Sequence, residues 1–159
     1  MTPAIRIVER AKVAHRVLTY THDPGAPAYG PEAAAALGLD PRQVFKTLVL
    51  SVEGAPRGSE LAVALVPVTQ QLDLKAAADA LGAKRVALAD VALAERATGY
   101  VVGGISPLGQ RKRLRTVIDA SALSFAELFV SAGRRGLELA LAPADLVRLT
   151  EGATAPIAR

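Results

Sequence analysis

Lys46 is the residue whose position most needs a reason. It lies in Val44-Phe45-Lys46-Thr47-Leu48-Val49-Leu50-Ser51-Val52, a run of strand formers. Alternation puts Lys46 on one face with Val44, Leu48 and Leu50, and Phe45, Thr47 and Val49 on the other. An ammonium on an apolar face is costly unless it is paired or hydrogen-bonded. Either its stem snorkels along the strand to water, or the ammonium enters a cleft. There it could grip a phosphate, a ribose hydroxyl or an ester carbonyl as a point-charge donor.

A second candidate is Thr98-Gly99-Tyr100-Val101-Val102-Gly103-Gly104-Ile105-Ser106-Pro107-Leu108-Gly109. Three glycines and a proline in its last seven residues predict a tightly turned loop with N–H groups exposed on a concave surface. Such groups can bind a carbonyl oxygen as it becomes an oxyanion. The loop is neither a phosphate-binding Walker loop nor a dinucleotide fingerprint, since no Gly-Lys-Ser/Thr follows and the glycine spacing differs. Read alone, it is equally a structural turn. Val130-Ser131-Ala132-Gly133-Arg134-Arg135-Gly136 is another Gly and Arg turn, between two strands, and by itself reads as a hairpin with solvated arginines. Tyr20 and Tyr29 flank one loop in a chain with only 4% aromatic residues, which hints at stacking on a base. Positive charge clusters at Arg111-Lys112-Arg113-Leu114-Arg115 and at Arg134-Arg135, both beside glycine-containing loops.

What is absent narrows the chemistry. There is no cysteine, which excludes a disulfide framework, a protein thiolate and any Cys-based zinc site. His15 and His22 are the only imidazoles, at a spacing that matches no common metal motif, so neither a metal nor a cofactor is expected. No Gly-x-Ser-x-Gly elbow occurs. A side-chain nucleophile with a His base is thus poorly supported, and any catalysis must come from positioning and electrostatics.

The elements that would hold these groups follow from local signals. Thr2-Pro3 opens a helix over residues 3–13, and Arg16 to Tyr20 reads as a strand. Three prolines and two glycines make residues 22–31 a loop before an Ala-rich helix that Gly38 stops. Residues 44–52 and 61–68 are near-continuous apolar strands that could pair as a long hairpin, with Pro67 ending the pairing. Asp73 caps a helix over 74–81, residues 85–88 form a short strand, and Asp90 caps a helix to about Ala97. Strands are expected at 116–119, 127–130 and 137–141, then a helix from Pro143 to about Leu149 and a short tail. Strands and helices intermix without strict alternation, so the fold class is α+β. The expected architecture is one curved, mixed or antiparallel sheet, barrel-like, with helices packed outside.

With 159 residues and no composition shift, the chain is expected to be a single domain over 1–159. No apolar signal-peptide core follows Met1 and no apolar stretch approaches ~20 residues, so a cytoplasmic protein with no membrane partner is expected. Net charge is +4, from 19 Lys+Arg against 15 Asp+Glu. That excess suits either an ordinary basic domain or attraction to a polyanion.

Taken in order, several stretches resemble the YbaK/ProX superfamily of aminoacyl-tRNA deacylases, and within it the YbaK branch. They are Thr2-Pro3-Ala4, Tyr20-Thr21-His22-Asp23-Pro24, Leu37-Gly38-Leu39, Val44-Phe45-Lys46-Thr47-Leu48 and Gln71-Leu72-Asp73-Leu74-Lys75. Ala80-Leu81-Gly82-Ala83-Lys84, Thr98-Gly99-Tyr100, Gly103-Gly104-Ile105-Ser106-Pro107-Leu108-Gly109 and Arg134-Arg135-Gly136-Leu137 continue the series over nearly the whole chain. The resemblance implies a compact α+β fold around a curved mixed sheet, and editing of mischarged tRNA. The family's lysine falls on Lys46, next to Thr47. Its substrate loop falls on Gly103, Ile105, Ser106, Pro107 and Gly109, its Thr-Gly pair on Thr98 and Gly99, and its other pocket wall on Tyr20, Tyr29, Ser131 and Gly133. Two departures are Tyr29, where phenylalanine is commoner, and Ala132, where the family has the first glycine of a Ser-Gly-Gly turn.

The function so implied is removal of cysteine from Cys-tRNA specific for proline, with looser action on other cysteinyl-tRNAs. The substrate's own thiol would attack its ester and leave as a cyclic thioester. Arg111, Lys112, Arg113, Arg134 and Arg135 would meet the tRNA acceptor end, and prolyl-tRNA synthetase is a candidate partner. Two other readings stand beside it: a deacylase for another small amino acid such as alanine, and a non-catalytic tRNA-binding module.

Overall fold

Two sheets carry the chain. The computed structural model describes residues 1–25, 29–55 and 58–159, with the backbone alone described at Tyr29. In the larger sheet β2 (Phe45–Ala55) and β3 (Gly58–Pro67) form the expected long hairpin, in register from Phe45↔Pro67 to Val52↔Glu60. β4 (Arg85–Leu88) pairs with the other side of β2 over Leu50–Glu53. β5 (Arg115–Asp119) and β8 (Ala153–Ala155) add in parallel beyond β3, giving the order β4-β2-β3-β5-β8. The smaller sheet is antiparallel, with order β1-β7-β6 from β1 (His15–Thr19), β6 (Leu128–Arg134) and β7 (Leu137–Leu141).

This corrects the expectation of one barrel-like sheet, because the sheets do not close into a barrel. The reason lies after β5. Asp119 caps a 3-10 turn over Ala120–Ser124, its Oδ2 accepting from Ser121 N–H at 3.1 Å, and the chain leaves the large sheet. The other carboxylate oxygen accepts from Ile157 and Ala158 N–H, both at 3.0 Å, which docks the last residues beside β5. β8 thus occupies the edge that β6 would have needed. The expected short tail holds this three-residue strand, too short to show a period in sequence. Between the sheets the described residues make one isolated parallel bridge, Val44↔Phe129.

The hairpin separates two cores. Phe45, Val63 and Leu65 face a cluster shared with α1 (Pro3–Ala11), α5 (Pro143–Thr150) and the small sheet. Leu50, Val52, Ala62, Ala64 and Val66 face α3 (Leu74–Leu81) and β4. Helix ends lie where capping predicts: Thr2, Asp73 and Asp90 accept N–H bonds at the starts of α1, α3 and α4 (Val91–Thr98), and Gly82 ends α3 at φ +65°. α2 (Tyr29–Leu37) begins two residues before the expected Pro31. Among the described residues no helix is long and apolar enough to cross a membrane.

The glycine loop is wedged between α1 and the β6–β7 turn. A Cβ on Gly109, which sits at φ +71°, would lie 2.6 Å from the Pro3 carbonyl carbon; one on Gly104 would lie 2.6 Å from the Arg134 Cα. Only a residue without a side chain permits backbone to approach backbone this closely. Thr2 Oγ1 donates to the Ala132 carbonyl, and the Tyr100 hydroxyl, pushed up to about 12 by burial, donates to the Leu108 carbonyl at 2.6 Å. Gly109→Ala should therefore cost about 3 kcal/mol, from the left-handed backbone plus the clash. Gly38→Ala, at φ +65° with nothing near its Cβ, should cost only about 1 kcal/mol. Urea unfolding midpoints of the two variants check this contrast.

β7 lies between β1 and β6 with all five residues buried. Its Leu-Glu-Leu-Ala-Leu pattern reads as a half-solvated strand, yet Glu138 is 6% exposed and burial pushes its carboxyl up to about 8. The native state then holds a proton that the unfolded chain has released, so stability falls as pH rises from about 4.5 to about 8. Glu138→Gln should remove that slope, leaving the variant more stable than wild type at pH 8 and similar near pH 4.5, measured as the difference between their thermal melts.

Candidate active site

The site begins with an interruption in the ladder of β2. β4 pairs with β2 only from Leu50 onward, and one further bond runs from Ala89 N–H to the Val49 carbonyl at 2.9 Å. The chain then turns away into α4. At the other end lies the Val44↔Phe129 bridge. Between them, residues 46–48 have β3 alone as a strand neighbour. Val44 directs its carbonyl at β3, where Val68 N–H donates to it at 2.8 Å, whereas Val49 directs its own at the β4 side. Main-chain groups alternate along a strand, so the N–H and C=O of Thr47 point to the open side.

A cavity of about 500 Å3 fills this gap. Phe45 to Val49 line it from β2, Ser131 and Glu138 from the small sheet, and Gly103 and Ile105 from the glycine loop. Tyr20 and α2 contribute on one side, and Leu88 and Val91 on the other. Leu88 and Val91 are 61% and 55% exposed, so they form an apolar lip. Ser131 and Glu138 lie opposite each other across the β6–β7 ladder and share a face.

Most of the lining is apolar, so its few polar groups carry the chemistry. Lys46 is half-buried, and burial lowers its pKa. No carboxylate among the described residues lies within ion-pair distance of it. Thr47 Oγ1 and Glu138 Oε2 are buried without a hydrogen-bond partner. Tyr20 has its hydroxyl pKa raised, first by burial, with the nearby charges of Glu138 and Glu32 adding to it. The Gly104 N–H is committed to the Val101 carbonyl at 2.8 Å and the Val102 N–H to Glu95 at 2.8 Å. The N–H groups of Gly103 and Ile105 make no hydrogen bond among the described residues. The cavity can thus offer an ammonium, main-chain donors and a carboxyl to one polar ligand.

No imidazole lines it. His15 Nδ1 lies 2.8 Å from the Val13 carbonyl and His22 Nδ1 3.0 Å from Glu32 Oε1. The described residues hold no group of three or more His, Cys, Asp or Glu suited to a metal.

Of the residues picked out in sequence, Lys46, Thr47, Tyr20, Gly103, Ile105 and Ser131 meet in this cavity. The side chain of Tyr29 lies outside the described residues. Thr98, Gly99, Ser106, Pro107, Gly109 and Gly133 are not among its lining residues. Thr98 Oγ1 donates to the Ala94 carbonyl at 2.8 Å, and Gly99 caps α4 at φ +80°. Ser106 is fully buried, its hydroxyl accepting from Leu108 N–H. Gly133 packs on Tyr100 and Thr2 at φ +115°. These residues hold the loop that presents Gly103 and Ile105. Ala132 is buried in the main core with its carbonyl on Thr2, so the departure at that position leaves the cavity wall alone. Glu138, Leu88 and Val91 were missed: each looks like an ordinary residue of a short strand or helix, and only the tertiary gap beside β2 gives it a role.

The basic cluster divides. Arg113 pairs with Glu151 at 2.6 Å, and Arg115 pairs with Glu60 at 3.0 Å while donating to the Leu81 carbonyl at 2.6 Å. Arg135 donates to the Val102 carbonyl at 2.7 Å. Arg111, Lys112 and Arg134 are exposed, with no ion pair among the described residues. Arg134 and Arg135 flank a shallow groove with Gly99, Val101 and Gly104, along the same loop that walls the cavity.

Comparison with known proteins bears on the family and the fold. The chain is 36% identical over 156 residues to EbsC of Enterococcus faecalis, named by inference a Cys-tRNA(Pro)/Cys-tRNA(Cys) deacylase; the match covers 98% of this chain and 92% of that protein. A crystal structure described as an inferred trans-editing enzyme for prolyl-tRNA synthetase superposes with a TM-score of 0.80 at 24% identity, covering 100% and 99% of the two chains. A hypothetical protein solved by crystallography superposes at 0.86 with 23% identity, covering 99% and 100%. At these identities the two structures establish the fold. The profile of the aminoacyl-tRNA editing domain matches residues 24–149, and the chain belongs to that family.

Proposed function

We propose that this protein is a trans-editing deacylase that removes cysteine from mischarged Cys-tRNA(Pro), with Lys46 as its catalytic residue. One observation carries the reading: an ammonium with no ion-pair partner among the described residues, beside an open strand edge in a cavity lined by no imidazole and no thiol. Such a site suits a reaction in which the substrate supplies its own nucleophile. The cysteine thiol loses its proton and the sulfur attacks the ester carbonyl. The carbonyl becomes an oxyanion, the bond to the ribose oxygen breaks, and that oxygen takes up a proton. A cyclic thioester leaves, and water later opens it to cysteine.

A thiol ionises near pH ~8.5, so little help is needed to expose its thiolate. Lys46 and the N–H groups of Gly103 and Ile105, which bond to none of the described residues, stabilise the oxyanion or hold the terminal ribose. Alanine and proline lack the sulfur, and this chemical difference exceeds the roughly 1–3 kcal/mol by which a pocket tells one methylene from another. EbsC, similar over nearly the whole chain, supports cysteine as the amino acid. The structure described for prolyl-tRNA synthetase supports that synthetase as partner. Arg111, Lys112 and Arg134, which make no ion pair among the described residues, serve the acceptor-end phosphates.

Lys46→Ala should lower deacylation of Cys-tRNA(Pro) by roughly 10²–10³-fold with little change in melting temperature, since no ion pair is lost; full activity would remove Lys46 from the site. Wild type should release labelled cysteine, but neither alanine nor proline, from the same tRNA; release of alanine instead would move the substrate to another small amino acid. Replacing Arg111, Lys112 and Arg134 with Ala should flatten the slope of log affinity against log salt by up to about 3, read by filter binding at several salt concentrations.

A further inference from the structure

Glu138 is the carboxyl of the cavity lining, and the proposed chemistry gives it no work. It is 6% exposed, its Oε2 has no hydrogen-bond partner, and it lines the same cavity as Lys46. The two are not an ion pair, so neither relieves the other. Its strand is central in the small sheet, with Leu18 and Ser131 as its neighbours across the two ladders, and every residue of β7 is buried. A buried carboxyl without a partner keeps its proton in the empty site, and a cation that enters beside it allows it to ionise and pair. Tyr20 does not fill that role, since no hydrogen bond joins it to Glu138.

The complement is a cation small enough to enter beside Lys46. An aminoacyl ester carries one such group, the α-ammonium, on the carbon next to the ester carbonyl. With the carbonyl or ribose at Lys46 and the glycine loop, the ammonium comes to the Glu138 side. We propose that Glu138 receives the α-ammonium of the aminoacyl group, so that the site accepts esters with a free amino group and rejects N-acylated ones, the class that includes peptidyl and formylated esters. This rests on the reading of the cavity as an aminoacyl-ester site. An N-acyl group removes the charge that Glu138 needs and adds bulk against a strand held on both sides. Cleavage of peptidyl esters, which would destroy growing chains, is thereby excluded by the same residue that anchors the proper substrate.

The test uses the full chain with cysteinyl-tRNA and N-acetylcysteinyl-tRNA, and the non-cleavable amides 3′-cysteinylamino-3′-deoxyadenosine and its N-acetyl form. Wild type should cleave the free-amine ester at least about 100-fold more efficiently than the acetylated one, and bind the free-amine amide at least about 30-fold more tightly. Glu138→Gln should bring both ratios below about 10, mainly by raising KM and Kd for the free-amine compounds while the acetylated ones hardly change. Equal treatment of free and acetylated compounds by wild type would overturn the inference. So would a Glu138→Gln loss of the same size for both, which is the pattern expected of a structural or proton-transfer role. Amide discrimination without ester cleavage would sink the deacylase reading and leave this one standing; cleavage without discrimination would do the reverse.

Discussion

The site depends on a strand that is central in its sheet yet lacks, among the described residues, a neighbour on one side for a short length. Burying main-chain N–H and C=O without partners is among the costlier things a fold can do. β2 avoids that cost over most of its length, with β3 on one side and β4 on the other. The exception among the described residues is Thr47, whose N–H and C=O point to the side where β4 has turned into α4 and the bridge to Phe129 lies behind. Everything chemical collects at that interruption. The ammonium of Lys46, the main chain of Thr47 and the carboxyl of Glu138 face one space because no strand was placed there.

The rest of the architecture keeps that space open and shaped. Two cores, one on each face of the hairpin, hold β2 and β3, and Phe45 and Leu48 carry those cores up to the cavity wall. The glycine loop reaches the gap because Gly104 and Gly109 let it press against the β6–β7 turn and the start of α1. The bulge in β6 between Ser131 and Arg134 turns Ala132 inward to Thr2, while Ser131 remains opposite Glu138 on the cavity face. Structural and chemical residues thus alternate along the same short segments.

The elements of the fold were largely legible in the sequence, because capping residues and apolar runs are local signals. Asp73, Gly82 and Asp90 marked helix ends, and residues 137–141 and 85–88 were read as strands with the observed bounds. The division into two sheets was not legible, since it turns on three residues of β8 and on the carboxylate of Asp119, whose partners lie 38 and 39 positions away. The site was half legible. Lys46 stood out because a charge on an apolar run contradicts its surroundings. Glu138 did not, because a glutamate alternating with leucines looks like the solvated face of a strand; its burial is decided by neighbours on both sides. Conversely, the glycine-loop motif overstated the lining: Ser106, Pro107 and Gly109 serve the scaffold, and pattern alone cannot divide a loop into the part that touches ligand and the part that holds it.

The position of the cavity at the seam has an evolutionary consequence. Lys46, Thr47, Ser131, Glu138, Gly103, Leu88 and Val91 belong to none of the four hydrophobic clusters that hold the molecule together. Substitutions among most of them reshape the chamber without opening voids in a core, so drift toward a new amino acid meets little resistance from folding. A lineage carrying this scaffold can therefore change what it proofreads faster than it can change how it stands.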